Sequence, residues 1–313
     1  MKKVWLLLIP LLFMSCPQEK KPKPIPEVHG QYIMVLGTAQ DAGYPQINCN
    51  KLCCQPYHDG KVEKKLISCL GLIDLEAKKK WLFDATPDIT QQIQHLSNEL
   101  ETTTVIDGIF LTHAHIGHYT GLMFFGREAM GATQVPVYAM PKMKSYLETN
   151  GPWSQLVALE NIKLKKMQHH TSVDLTNGLK ITPFLVPHRD EFSETVGYKI
   201  QGKHKSALFI PDINKWQLWE KDIVEEVKKV DYAFLDATFL KEGEIPRPMS
   251  EVPHPFIVET VKLFENEDWE IKNKVIFIHF NHSNPALQNS NSLKNDLKRE
   301  GYQFAVEGMR VEL

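Results

Sequence analysis

Little in this sequence of 313 residues is extreme. The 36 basic and 38 acidic residues nearly balance, for a formal net charge of −2. There is no cationic excess to draw a polyanion, so nucleic acid is not an expected partner. No internal repeat is visible, and no Gly/Ser-rich linker divides the chain after residue 28, which leaves one folded domain over residues 29–313. Long hydrophobic runs are also missing: the apolar stretch Val4 to Met14 is too short to span a bilayer comfortably. With 42% hydrophobic and 24% charged residues, the remainder has the make-up of a globular protein.

The short apolar stretch has a different use. Lys2 and Lys3 precede it, and Phe13-Met14-Ser15-Cys16 follows in the manner of a bacterial lipoprotein cleavage site. Residues 1–16 are expected to be a signal peptide ending at Cys16, which is lipidated, with an ordinary signal peptide or a retained short anchor as alternatives. Residues 17–28, rich in Lys and Pro, read as an exposed tether. The protein is then expected in the bacterial cell envelope, outside the cytoplasm, with the membrane as partner through its acyl chains.

Apolar patterning places strands at Tyr32 to Leu36, Cys69 to Leu75, Trp81 to Asp84, Val135 to Ala139, Leu179 to Val186, Thr195 to Ile200, Ala207 to Ile210, Tyr232 to Leu235 and Val275 to His279. Helices are expected behind a Thr86 cap with Pro87 first, and over Leu122 to Met130, Trp216 to Lys229, Phe256 to Phe264 and Ser292 to Arg299. Gly37 to Gly60 and Met140 to Gln168 read as loops. Two batches of strands, each with helices, predict an α/β fold: an αββα four-layer sandwich.

The chemistry concentrates in His113-Ala114-His115-Ile116-Gly117-His118, which follows the apolar run Gly108 to Thr112. Alternate histidines leaving a strand can turn two imidazoles toward one point, with a third from the turn beyond, as a divalent cation requires. Three further apolar runs end in potential ligands, at His188, Asp212 and His279.

This motif differs by one residue, Gly117, from the His-x-His-x-Asp-His signature of the metallo-β-lactamase superfamily, and from about His29 onward the chain resembles that superfamily. Within it, Gly43-Tyr44-Pro45-Gln46, Val186-Pro187-His188-Arg189-Asp190, Thr195-Val196-Gly197-Tyr198 and Ile278-His279-Phe280-Asn281 are similar to the pyrroloquinoline quinone biosynthesis protein B branch. Phosphonate-pathway cyclic phosphodiesterases and tRNA 3′-processing endonucleases are more distant likenesses. The resemblance implies a first metal site at His113, His115 and His188, Asp212 as bridging carboxylate, and His118 and His279 at a second site. Gly117 stands where the family has an aspartate, so the second site is expected to be weak or empty. Asp84 has two readings, a support for the histidine loop, or a surface turn residue or helix cap.

Asp236 followed by His254 resembles a pair in the phosphodiesterase relatives, where a carboxylate orients a histidine that protonates the leaving oxygen; a cap of the Phe256 helix is the other reading. Cys49, Cys53 and Cys54 crowd into the first loop. In the resembled families such cysteines hold a structural zinc completed by a histidine, here His282, with His58 as an alternative and disulfide bonding as a competing use. The expected cofactors are one or two Zn²⁺ in the active site plus the structural one, with Fe or Mn possible in the active site. The expected function is hydrolysis of a small-molecule substrate through a metal-bound hydroxide, on a phosphodiester or cyclic phosphate. An iron-dependent oxygenase and a non-enzymatic binding lipoprotein are the alternatives.

Overall fold

The computed structural model describes residues 28–287 and 291–313. The signal peptide, the lipidation site at Cys16 and all of the tether but Val28 lie outside the described residues. Among those described, no helix is long and apolar enough to cross a membrane.

Among the described residues, fourteen strands form two seven-stranded sheets. They are β1 (Gln31–Gly37), β2 (Cys69–Asp74), β3 (Lys79–Phe83), β4 (Gly108–Phe110), β5 (Val135–Ala139), β6 (Ile162–Lys166), β7 (Val173–Thr176), β8 (Leu179–Leu185), β9 (Val196–Gln201), β10 (Ser206–Ile210), β11 (Tyr232–Asp236), β12 (Val275–Ile278), β13 (Gln303–Phe304) and β14 (Arg310–Glu312). The first sheet has the order β14-β1-β2-β3-β4-β5-β6 and the second β13-β12-β11-β10-β9-β8-β7. Each half of the chain therefore builds one sheet, and only β14 returns to the other.

Period-two alternation assigns the faces. In β1, Tyr32, Met34 and Leu36 pack toward the helices of the first half, while Ile33 and Val35 face the second sheet. In β12, Val275 and Phe277 meet the helices of the second half, and Ile276 and Ile278 close the middle layer. Burial on both faces explains why these strands read as nearly unbroken apolar runs. Phe83 and Phe209 meet edge to face across the middle layer, ring centres 5.9 Å apart. The result is the expected αββα sandwich.

The local departures have local causes. Leu122 to Met130 is not an α-helix: one turn over Ile116–Tyr119 runs into a 3₁₀ stretch, Thr120–Phe125, whose buried Leu122 and Phe125 suit three residues per turn. The Trp216 to Lys229 helix is broken into Trp216–Leu218 and Ile223–Lys228, because the Asp222 side chain accepts the N–H groups of Val224 and Glu225 and starts a new helix. The helix after Thr86 begins only at Ile89; the Thr86 hydroxyl accepts the Asp88 N–H and donates to Gln92. Met140 to Gln168 is no loop but two helices, Pro141–Thr149 and Trp153–Ala158, followed by β6.

Candidate metal centre

Strands β1, β3 and β4 of the first sheet run in one direction, as do β8, β10, β11 and β12 of the second. The loops that follow these strands converge on one cluster of donor side chains. The loops after β4 bring His113, His115 and His118; those after β8, β10 and β12 bring His188, Asp212 and His279.

His113, His115, His188 and Asp212 each offer a donor atom within 4.8 Å of the others. His113 Nε2 lies 2.9 Å from His115 Nδ1 and 3.3 Å from Asp212 Oδ2. His188 Nε2 lies 3.3 Å from both His115 Nδ1 and Asp212 Oδ1. A second group joins His118, His279 and the same Asp212 to Asp41, which the sequence reading missed. Asp41 Oδ1 is 2.9 Å from His118 Nε2 and 3.6 Å from His279 Nε2. A carboxylate from another loop thus stands beside the position that Gly117 leaves without a ligand.

The far side of four of these rings is held. Thr112 Oγ1 is 2.9 Å from His113 Nδ1, Asn214 Oδ1 accepts from His188 Nδ1 at 3.2 Å, and Asp84 takes His118 Nδ1 at 2.7 Å. Thr238 donates to Asp236 Oδ1 at 2.7 Å and receives His279 Nδ1 at 3.1 Å. Such contacts fix the ring orientation of metal-binding histidines and raise their basicity. Fully buried Asp84, which also accepts the Thr112 N–H at 2.8 Å, is thus a support of the histidine loop and not a surface turn residue. Asp84 and His279 both have positive φ, 71° and 68°, strain that clusters where the site dictates the backbone.

Burial and the charge of His118 push His113 well below its ordinary pKa, toward the neutral form that binds metal. Burial opposes ionisation of Asp212, but His188 and His254 outweigh it and hold the carboxylate far below its usual range. Two buried atoms in the middle of these groups, Asp212 Oδ1 and His279 Nε2, have no hydrogen-bond partner. Orphaned buried polar atoms are costly, and a cation between them satisfies both. The residues present fit a metal.

His254 stands against this cluster. Its Nδ1 is 2.9 Å from Asp236 Oδ2 and 3.1 Å from Asp212 Oδ1. Burial alone lowers its pKa, yet Asp236 and then Asp212 push it up to about 10. The sequence paired His254 with Asp236, and the fold brings them together.

A model of the β-lactamase superfamily domain matches residues 79–280. The chain belongs to the metallo-β-lactamase superfamily. Coenzyme PQQ synthesis protein B of Methylobacillus flagellatus is 27% identical over 90% of this chain and all of that protein, and its counterpart in Klebsiella pneumoniae is 28% identical over 90% and 98%. Zn²⁺-bound PqqB from Methylobacterium extorquens superposes with a TM-score of 0.75 at 21% identity, covering 90% of this chain and 100% of that one. A diphosphatase from the PhnP family reaches 0.62 at 25% identity, covering 91% and 98%. Superfamily membership and the donor set together make this a metal-dependent, hydrolase-type site.

The cysteine loop forms a separate group. Cys49, Cys53 and Cys54 have their sulfurs within 4.8 Å of one another, all free, with 3.7 Å between those of Cys49 and Cys53. His282 is not brought into this group; its Nδ1 meets Asn281 Oδ1 at 3.0 Å, although the Lys51 charge from the same loop reaches it. His58 is also outside, its Nε2 on the Cys49 carbonyl at 2.9 Å. Cys69 is a buried free thiol in β2, far from the group in sequence and pushed up in pKa by burial.

Proposed function

We propose that this protein is a two-metal hydrolase of phosphodiesters or cyclic phosphates, anchored outside the cytoplasm by lipid on Cys16. Zinc is the favoured metal, given an imidazole-rich donor set with shared carboxylates and the Zn²⁺-bound state of the related PqqB. One observation carries the phosphoester reading: His254 has its Nδ1 hydrogen-bonded to Asp236 at 2.9 Å and only 3.1 Å from Asp212, beside the donor cluster.

The first ion would be held by His113, His115, His188 and Asp212, the second by His118, His279 and Asp212. When bound, such ions supply an activated water and polarise the ester oxygen. The remaining work falls to the chain. Asp236 fixes the His254 ring through Nδ1, and Thr238 fixes Asp236 through its backbone N–H and hydroxyl, at 2.9 and 2.7 Å. His254 Nε2 is the ring nitrogen not committed to a carboxylate, and it would give its proton to the departing alkoxide. A lactone or amide would have less need of this pair.

A second reading, an iron-dependent oxygenase, draws on the likeness to PQQ synthesis protein B along nearly the whole chain. Its other support, a second site emptied by Gly117, is weakened by the carboxylate of Asp41 beside that position. Metal analysis of anaerobically purified protein, with hydrolysis assayed on bis-p-nitrophenyl phosphate and cyclic nucleotides, separates the two. Two active-site zinc or manganese ions with phosphodiester turnover are expected. One tightly held iron, oxygen uptake and no hydrolysis would reverse the proposal.

We also assign the three clustered thiols to a structural zinc, with His282 as fourth ligand after a side-chain turn. Cys49→Ser should lower total zinc by one ion per chain and lower the melting temperature, because binding energy at a closed site is folding energy. A disulfide among these cysteines in protein isolated without reductant would defeat this assignment. Cys16→Ala should move the protein from the membrane fraction to soluble or unprocessed forms; unchanged fractionation with no lipid on Cys16 would reject the anchor.

A further inference from the structure

Gly117 and Asp41 occupy one space. A Cβ placed on Gly117 would lie 2.5 Å from both Cα and Oδ1 of Asp41 and 2.9 Å from its Cβ, so no side chain fits at 117 while the loop backbone runs through residue 41 as it does here. The loop after β1 thus passes through the volume where a carboxylate on the histidine motif would sit, and delivers a carboxylate of its own. We infer that Asp41 is the second-metal ligand, relocated from the position of Gly117, so that the altered motif marks an exchange of ligands between loops and not the loss of a site.

Three observations carry this. Asp41 Oδ1 faces the metal-binding nitrogens of both His118 and His279, and shares a donor group with Asp212. His279 Nε2 is fully buried with no hydrogen-bond partner, which points to a ligand between it and the carboxylates. The backbone that carries Asp41 is also locked to the backbone that carries His279. Gln40 N–H donates to the Phe280 carbonyl at 2.8 Å, Phe280 N–H donates to Thr38 at 2.8 Å, and Ala39 bridges Ile67 and Phe280. Gly43, at φ 72°, closes the turn by donating to Gln40 at 2.7 Å. Asp41 therefore stands at the tip of a fixed turn whose register is set one residue from a ligand. A surface aspartate paired with His118 by chance has no need of that framework, and His118 already has Asp84 on its other nitrogen. The relocated set, two imidazoles and two carboxylates, suits Zn²⁺ or Mn²⁺.

This inference rests on the two-metal reading, and titration of the metal-free protein with Mn²⁺ tests both separately, since thiolate sites disfavour that ion. Calorimetry gives stoichiometry and affinity, and electron paramagnetic resonance distinguishes a coupled pair from isolated ions. Wild type should bind two ions as a coupled pair. Asp41→Asn should keep the first ion and weaken the second about a hundredfold or more, leaving an isolated-ion spectrum. Gly117→Asp alone should not tighten the second ion and should lower the melting temperature, because its side chain meets Asp41. Asp41→Glu, which keeps a carboxylate on the same turn, should hold the second ion more tightly than Asp41→Asn, a difference that a purely structural aspartate would not produce. Two ions bound unchanged by Asp41→Asn, or tighter binding in Gly117→Asp alone, would overturn the role of Asp41 while leaving two metals intact. A single ion in wild type would instead overturn the two-metal reading and Asp41 as ligand with it.

Discussion

Asp212→Asn should empty both active-site positions at once. The carboxylate lies within 4.0 Å of donor atoms from His113, His118, His188, His254 and His279, and it is the one residue common to both donor groups. An amide cannot bridge two cations as a carboxylate does, so zinc beyond the cysteine site should drop below about 0.2 per chain and hydrolysis by at least a thousandfold, a barrier change of about 4 kcal/mol. The thermal consequence is independent of any substrate. A site held at a thousand times its dissociation constant adds about 4 kcal/mol to stability, on the order of 10 °C for a domain of this size. Chelation should lower the melting temperature of the wild type by at least that much and leave Asp212→Asn nearly unaffected. A variant that keeps both ions, or a wild type indifferent to chelator, would show that Asp212 is not the bridge.

His254→Gln should separate proton donation from metal binding. General-acid catalysis contributes about 10²- to 10⁴-fold, and its contribution depends on how poor the leaving group is. With an alkyl phosphodiester the variant should lose that full range. With p-nitrophenolate, which leaves without a proton, it should stay within about tenfold of wild type. Metal content should not change, because His254 is outside both proposed donor sets. Asp236→Asn should show the same leaving-group dependence at smaller amplitude, since it acts by orienting His254. Equal losses on both substrates, or a lost metal ion, would make His254 a ligand or a packing residue.

The architecture was legible because the strands are buried on both faces, and long apolar runs such as Tyr232 to Leu235 have few other uses. Short edge elements were not: β7 is only partly buried and β13 has two residues, too few to carry a period. Helix lengths were overread at Trp216 to Lys229, where Asp222 looked like one polar residue of an amphipathic helix but served as a cap. In the site, histidines and carboxylates at strand ends could be found from their residue types. Thr112, Asn214 and Thr238 could not, because a hydroxyl or amide that orients a ring has no signature without its partner. Asp41 was hidden differently. Its signal was the glycine at 117, read as a loss because space in a folded chain can be filled from seventy-six positions away.

The proposed ligands come from both halves of the chain. Asp41, His113, His115 and His118 hang from the first sheet, and His188, Asp212 and His279 from the second, so neither half holds a full set. Each ion is then a clasp across the middle layer, and its affinity includes the free energy with which one half of the molecule grips the other. A substitution in that layer that shifts one half against the other would therefore disturb the donor geometry, even at residues such as Phe83 or Phe209 that touch no ligand. A full donor set for either ion would exist only once the two halves have met. A chain exported unfolded would acquire its ions from the compartment in which it finishes folding, not from the one in which it was made.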